Sequence, residues 1–182
     1  GWQYQLGADG GFGFLGDGYV HISGQMYHTD HMVPNTTDVR TVAGNSEYKG
    51  YTVPHNSNKI LSTPEETREN LSIEFGKTLT EGVKGYGLIT YAHRHSEAYE
   101  NYRMPSVAPT LYPYGFSPLE TIEENDYAAT LGLKGDNFFG LSWDLSSTYG
   151  SDENAIGNKN TAHPHLIKET GTSPTTVRAE TY

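Results

Sequence analysis

Three pairs of histidines lie close together in the chain: His28 and His31, His93 and His95, His163 and His165. Residues two apart on a strand project to the same face, so His93 and His95 would offer both imidazoles to Zn, Cu, Ni or a haem iron. No carboxylate or third histidine stands at a diagnostic spacing from them. Polar residues at the rim of a strand account for the pair without a metal, which leaves His93 and His95 as weak metal candidates and no cofactor expected. A second group is aromatic. Tyr99, Tyr102, Arg103, Tyr112, Tyr114 and Phe116 crowd one stretch, where rings could stack on a bound ligand and Arg103 could meet an anionic group. The competing explanation is that these side chains pack the loop against its neighbours. The 22 Asp and Glu residues supply many carboxylate pairs but define no acid–base site. No nucleophile elbow, zincin motif or P-loop occurs, so the chain is not expected to be an enzyme.

The elements that must position these residues alternate apolar and polar side chains. Trp2, Tyr4, Leu6, Ala8, Phe12 and Phe14 share one parity, and Val20, Ile22, Gly24 and Met26 another stripe, which predicts a hairpin over about 2–30. A second hairpin spans about 70–95: Leu71, Ile73 and Phe75 alternate with Ser72 and Glu74, then the chain turns near Gly82. Its return strand is irregular, with Tyr86 and Leu88 on one face and Ile89 and Tyr91 on the other. A third hairpin over about 125–149 carries Tyr127, Ala129, Leu131 and Leu133, then Leu141, Trp143, Leu145 and Tyr149. Six strands of roughly 9–12 residues result, the length a tilted strand needs to cross a bilayer. Turns within the hairpins are short and rich in Gly, Asp and Asn. The links between them, about 31–68, 96–124 and 150–182, are long. Short turns at one rim and long loops at the other are the pattern of an outer-membrane barrel, and aromatic residues near strand ends (Trp2, Tyr19, Tyr27, Phe75, Tyr86, Tyr91, Phe138, Phe139, Tyr149) suit its interfacial girdles. A soluble sandwich, with a second sheet against the apolar face, has the same periodicity.

Composition narrows the classes. The 182 residues hold 35% hydrophobic side chains, 21 Gly, 14 Tyr and no Cys, with a net charge of −10. A phosphate backbone would be repelled, so no nucleic-acid partner is expected. Without Cys there is neither a disulfide framework nor a thiolate metal site. No apolar run of about 18 residues encodes a membrane helix.

Read in order, YRMP at 102–105, LYPYGFSPLE at 111–120, DYAATLGLKG at 126–135 and LSWDLSSTYGSDENAIGNKNT at 141–161 resemble the barrel of TonB-dependent outer-membrane receptors. DGYVHISGQMYHTD at 17–30 is similar to an early barrel strand of that family. The resemblance implies an all-β region over 1–182, part of a large transmembrane barrel in a Gram-negative outer membrane. It also implies ligand-gated uptake of a siderophore, cobalamin, haem or glycan, powered by the TonB complex. The partners expected are the lipid bilayer and that ligand, met by the aromatic loop residues. The pattern departs from the family: there is no plug domain or TonB box, and six strands cannot close a barrel of 22, so this chain reads as one piece of such an assembly. A soluble β-sandwich that binds glycans or proteins, and a β-rich protein that self-assembles, are the alternatives.

Overall fold

The computed structural model describes residues 1–182 apart from 36, 37, 39, 41–46, 49 and 61. The chain is all-β and antiparallel. β1 (Gln3–Phe14) and β2 (Gly18–Thr29) form the first hairpin, and a two-residue ladder, β3 (Glu47–Tyr48) with β4 (Tyr51–Thr52), interrupts the loop that follows. β5 (Glu65–Thr80) and β6 (Val83–Tyr99) form the second long hairpin, β7 (Leu119–Phe138) and β8 (Leu141–Lys159) the third. A short helix α1 (Pro164–Thr170) and strand β9 (Thr176–Thr181) complete the chain. The main sheet runs β1-β2-β5-β6-β7-β8-β9 and does not close into a barrel. β9 pairs only with Asn154–Lys159, so the edge of β8 below Asn154 is open, as is the outer edge of β1.

Register decides the faces, because residues directly opposite in a ladder project to the same side. Tyr4, Leu6 and Phe12 of β1 share a face with Val20, Ile22 and Met26, then with Leu71, Ile73 and Phe75, then with Ile89 and Tyr91, Tyr127, Leu131 and Leu133, and finally Trp143, Leu145 and Tyr149. The opposite face carries Asp9, His21, Ser23, Glu74, Ser72, Thr90, Thr130, Asp144 and Thr148. Among the described residues no second layer covers the apolar face: Leu131 is 62% exposed and Leu145 69%. That removes the inter-sheet core a sandwich requires.

The apolar stripe has a definite geometry. One hydrogen-bonded row crosses six strands through Gly10, Ile22, Ile73, Ile89, Ala129 and Tyr149. On β8 the stripe ends at that row, at Tyr149. On β1 it continues six residues further, to Tyr4. Six residues at about 3.4 Å, over five strand spacings of about 4.8 Å, give a slope of about 40°. The hairpin tips descend in the same sense. Relative to the row Gly13, Tyr19, Gly76, Tyr86, Gly132 and Ser146, the last paired residues Phe14, Thr80 and Phe138 lie one, four and six positions beyond. The result is a belt of nearly even height, ten residue steps from Tyr4 to Phe14 and eight from Leu141 to Tyr149. That is about 27–34 Å along a strand, and about 20–26 Å after projection at the slope of the belt.

Several expectations are corrected. The second and third hairpins run 65–99 and 119–159, well beyond 70–95 and 125–149, and the strands are 12–20 residues long where they belong to the long hairpins or the first. Above the belt the apolar-side row becomes Glu69, His93, Asn125 and Glu153, so the two-residue period disappears from the sequence while the ladder continues. The segment 150–182 is therefore not a long loop: it finishes β8 and adds α1 and β9. The irregular return strand also has a cause. On the apolar face of β6 stand Gly85 and Gly87, and Gly87 is roofed by Phe75 and Leu131 from the neighbouring strands. Of the aromatic residues expected in girdles, Tyr19, Tyr27 and Tyr86 project from the polar face. Tyr19 and Tyr86 lie over Gly76 and Gly132 and donate to Glu74 Oε1 at 3.0 Å and Asp144 Oδ1 at 2.7 Å.

Candidate functional site

Above the belt the described residues of 31–64 fold together with 100–118 on a small core of their own. Val53, Tyr102, Met104, Ala108 and Phe116 are buried there, and Pro105 opens a single 3₁₀ turn, Pro105–Val107. The YRMP stretch supplies much of it. Arg103 pairs backbone to backbone with Phe116, N to O at 2.7 Å and O to N at 3.0 Å, and the Tyr102 hydroxyl donates to the Tyr114 carbonyl. Gly115 has φ +74°, and its α-carbon is covered by the Tyr102 ring. Only a residue without a side chain fits both conditions.

An ion pair locks the first loop to this core. Arg40 grips Asp38 through Nε at 2.8 Å and Nη2 at 2.6 Å, and Nη2 also donates to the Tyr102 carbonyl at 2.8 Å. The Arg40 guanidinium holds the Asp38 carboxyl below its ordinary value, while burial pushes the Tyr102 and Tyr112 hydroxyls up. Ser117 Oγ donates to the Ser57 carbonyl at 2.8 Å, a second tie between the loops.

Around this core lies an open cavity of about 440 Å³, formed by three connections at once: 54–59, 112–117 and Asn160 after β8, with Tyr99 at the end of β6. Five of the six expected contact residues meet there. Tyr102 and Phe116 are buried and hold the wall; Tyr112 stacks on Phe116 at 4.3 Å between centroids and donates to the Thr161 carbonyl at 3.3 Å. Tyr114 is exposed, and Tyr99 lies half-buried between His31 and Lys59, whose Nζ is 4.6 Å from the ring centroid. Arg103 is turned away, bonded to Glu100 at 3.1 Å. For Tyr102, Phe116 and Arg103 the packing role accounts for the side chain. His55, Asn56, Ser57, Lys59 and Asn160 were not singled out in the sequence, because irregular loops have no periodicity to read; the dense run of Pro, His, Asn and Ser at 54–58 is their one compositional mark.

The histidines are distributed differently. His93 Nδ1 is 2.9 Å from Asn125 Oδ1, and His95 Nε2 is 3.4 Å from Glu97 Oε1. His28 lies between Thr67 and Asp30, and His31 contacts Glu65 and the Glu97 carbonyl. His163 caps α1 by accepting from the Leu166 amide. Among the described residues no three of His, Asp and Glu converge as a metal site. A wider hollow of about 640 Å³ lies on the belt itself, over Gly85, between Phe14, Phe75, Leu79, Leu131 and Leu145. Its lining is almost wholly apolar, which suits acyl chains and no polar ligand.

Comparison with known protein families, characterised proteins and solved structures finds no match for this chain.

Proposed function

We propose that this chain is a wall segment of a transmembrane β-barrel in a Gram-negative outer membrane, of the TonB-dependent receptor type, and takes part in uptake of a ligand that its loops meet. The observation that carries this reading is the slanted belt. A stripe exposed on one face, with polar side chains behind it, about 20–26 Å high and inclined about 40° to the ladder rows, has the height and tilt of a lipid-facing band, for which about 25 Å and 35–45° are usual. Packing against another protein layer sets no such relation between register and apolar boundary. The polar face, with Tyr86–Asp144 and Tyr19–Glu74 pairs, is then the wall of a wet lumen. Barrel closure needs further strands, and the open edges of β1 and lower β8 are where they pair. TonB-driven transport requires those further parts.

Refolding the chain from urea, with and without phospholipid vesicles, tests the reading. The expected result is β structure that floats with the vesicles and resists protease over the belt, and aggregation in plain buffer. A monodisperse β-rich monomer in plain buffer would overturn it. Ordered filaments in buffer would instead favour edge-to-edge self-assembly, a reading that rests on the same two open edges.

A further inference from the structure

The cavity formed by the loops lies on an unexpected side of the wall. The ladder of β6 with β7 is unbroken from Val83 to Tyr99, so Tyr99 projects from the same face as Tyr91, the face that carries the apolar belt. Lys59 and His31 pack on that same side, against Tyr99 and against Glu65 and Glu97. Tyr99 is eight residues beyond Tyr91, about 27 Å along the strand and about 20 Å above the belt after projection. The cavity therefore faces outward from the barrel, above the bilayer, and not into the lumen.

Its lining has a consistent chemistry. Tyr99, Tyr112 and Tyr114 line it, Tyr112 with one ring face packed on Phe116 and Tyr114 exposed; Asn160 and Asn56 carry amides, and among the described residues Lys59 is the one Lys or Arg and no carboxylate lines it. Asn56 Oδ1 is enclosed and has no hydrogen-bond partner in the fold. Flat rings next to neutral donors and acceptors match a pyranose, whose C–H face stacks on an aromatic ring while its hydroxyls bond to amides. A single lysine is a poor counterpart for a multiply charged iron chelate, and a porphyrin or corrin would need a broader apolar slot.

Building on the barrel reading, we propose that this cavity is a docking site for a neutral saccharide on the outward side of the wall, separate from any route through the lumen. At its height above the belt, the neutral sugars within reach are the outer hexoses of the outer leaflet's own glycolipid. Free oligosaccharides carry the same chemistry. The test uses the 182-residue chain folded in phospholipid vesicles. Binding of a neutral hexose oligosaccharide is followed by saturation-transfer NMR, and capture of lipopolysaccharide-containing vesicles over plain vesicles is measured in parallel.

The expected result is saturable saccharide binding that Tyr114→Ala weakens about tenfold and Tyr114→Phe preserves. Tyr114 is 61% exposed, and the hydrogen bond that ties it to the loop core is accepted by its backbone carbonyl, which the substitution keeps. Preference for the glycolipid vesicles assigns the membrane as the source; preference for the free oligosaccharide assigns a soluble glycan. Absence of saturable binding in both arms, or binding that Tyr114→Ala leaves unchanged, would overturn the proposal. Flotation of the same samples reads insertion separately, so a chain that binds sugar without inserting counts against the barrel and not against the cavity.

Discussion

Gly115 concentrates two demands at one position, a positive φ and a Tyr102 ring lying where a side chain would begin. Gly115→Ala is expected to cost the loop cluster about 1–3 kcal/mol and to open 100–118 to protease, with cleavage of the belt strands unchanged. Tyr102→Phe, which removes the hydroxyl that the Tyr114 carbonyl accepts but keeps the ring, is expected to loosen the loop less. Asp38 gives the cluster a pH dependence. Its carboxyl is held below its usual 3.8 by Arg40, so its stabilisation is complete above that value and is lost as the pH falls through the lowered pKa. Hydrogen exchange in the amides of 100–118, taken relative to the intrinsic rate at each pH, is accordingly expected to accelerate below about pH 4 in the native chain. In Asp38→Asn it should be fast already at pH 7, and an unchanged rate in that variant would remove Asp38 from the account.

At the scale of elements, the sheet replaces side chains with neighbours. On β6 the apolar face is interrupted at Gly85 and Gly87, which Leu79, Phe75 and Leu131 cover from adjacent strands. Gly87→Val would push against both Phe75 and Leu131, and overpacking of this kind costs about 1–3 kcal/mol. A lower urea midpoint in vesicles, with an unchanged circular dichroism spectrum before unfolding, is the expected readout. The same arrangement explains how much of the fold was legible. Leu71, Ile73 and Phe75 or Leu131, Leu133 and Leu145 announced their strands because each alternates against polar neighbours. β6 announced itself less cleanly, since its apolar face is partly borrowed from β5 and β7. The upper ends of β5 to β8, residues 65–69, 96–99, 119–124 and 150–159, were invisible for a different reason: beyond the row Glu69, His93, Asn125 and Glu153 nothing in the pattern separates a ladder from a loop. The loop cavity was half legible. Aromatic crowding pointed to Tyr99, Tyr112 and Tyr114, but which of their neighbours were walls and which were surface depended on the long-range pairing of 54–59 with 112–117.

For the whole molecule the question is what solvates the belt. Leu131 and Leu88 make a matched pair for asking it. They sit in adjacent hydrogen-bonded rows, Phe75–Gly87–Leu131–Ser147 and Glu74–Leu88–Thr130–Thr148, hence at nearly the same depth, but on opposite faces. An arginine on the lipid side near the bilayer midplane costs about 2–4 kcal/mol, whereas an arginine in a hydrated lumen keeps its water. Leu131→Arg is therefore expected to lower the free energy of folding into vesicles by about that amount, and Leu88→Arg by well under 1 kcal/mol. Secondary structure and strand propensity are nearly constant across the pair, so the difference isolates the medium in contact with each face. Equal costs would mean that both faces meet water or protein, and the slope shared by the belt and the hairpin tips would then need another cause. A larger cost for Leu88→Arg would invert the barrel, placing the lumen on the side of Leu131 and Leu145.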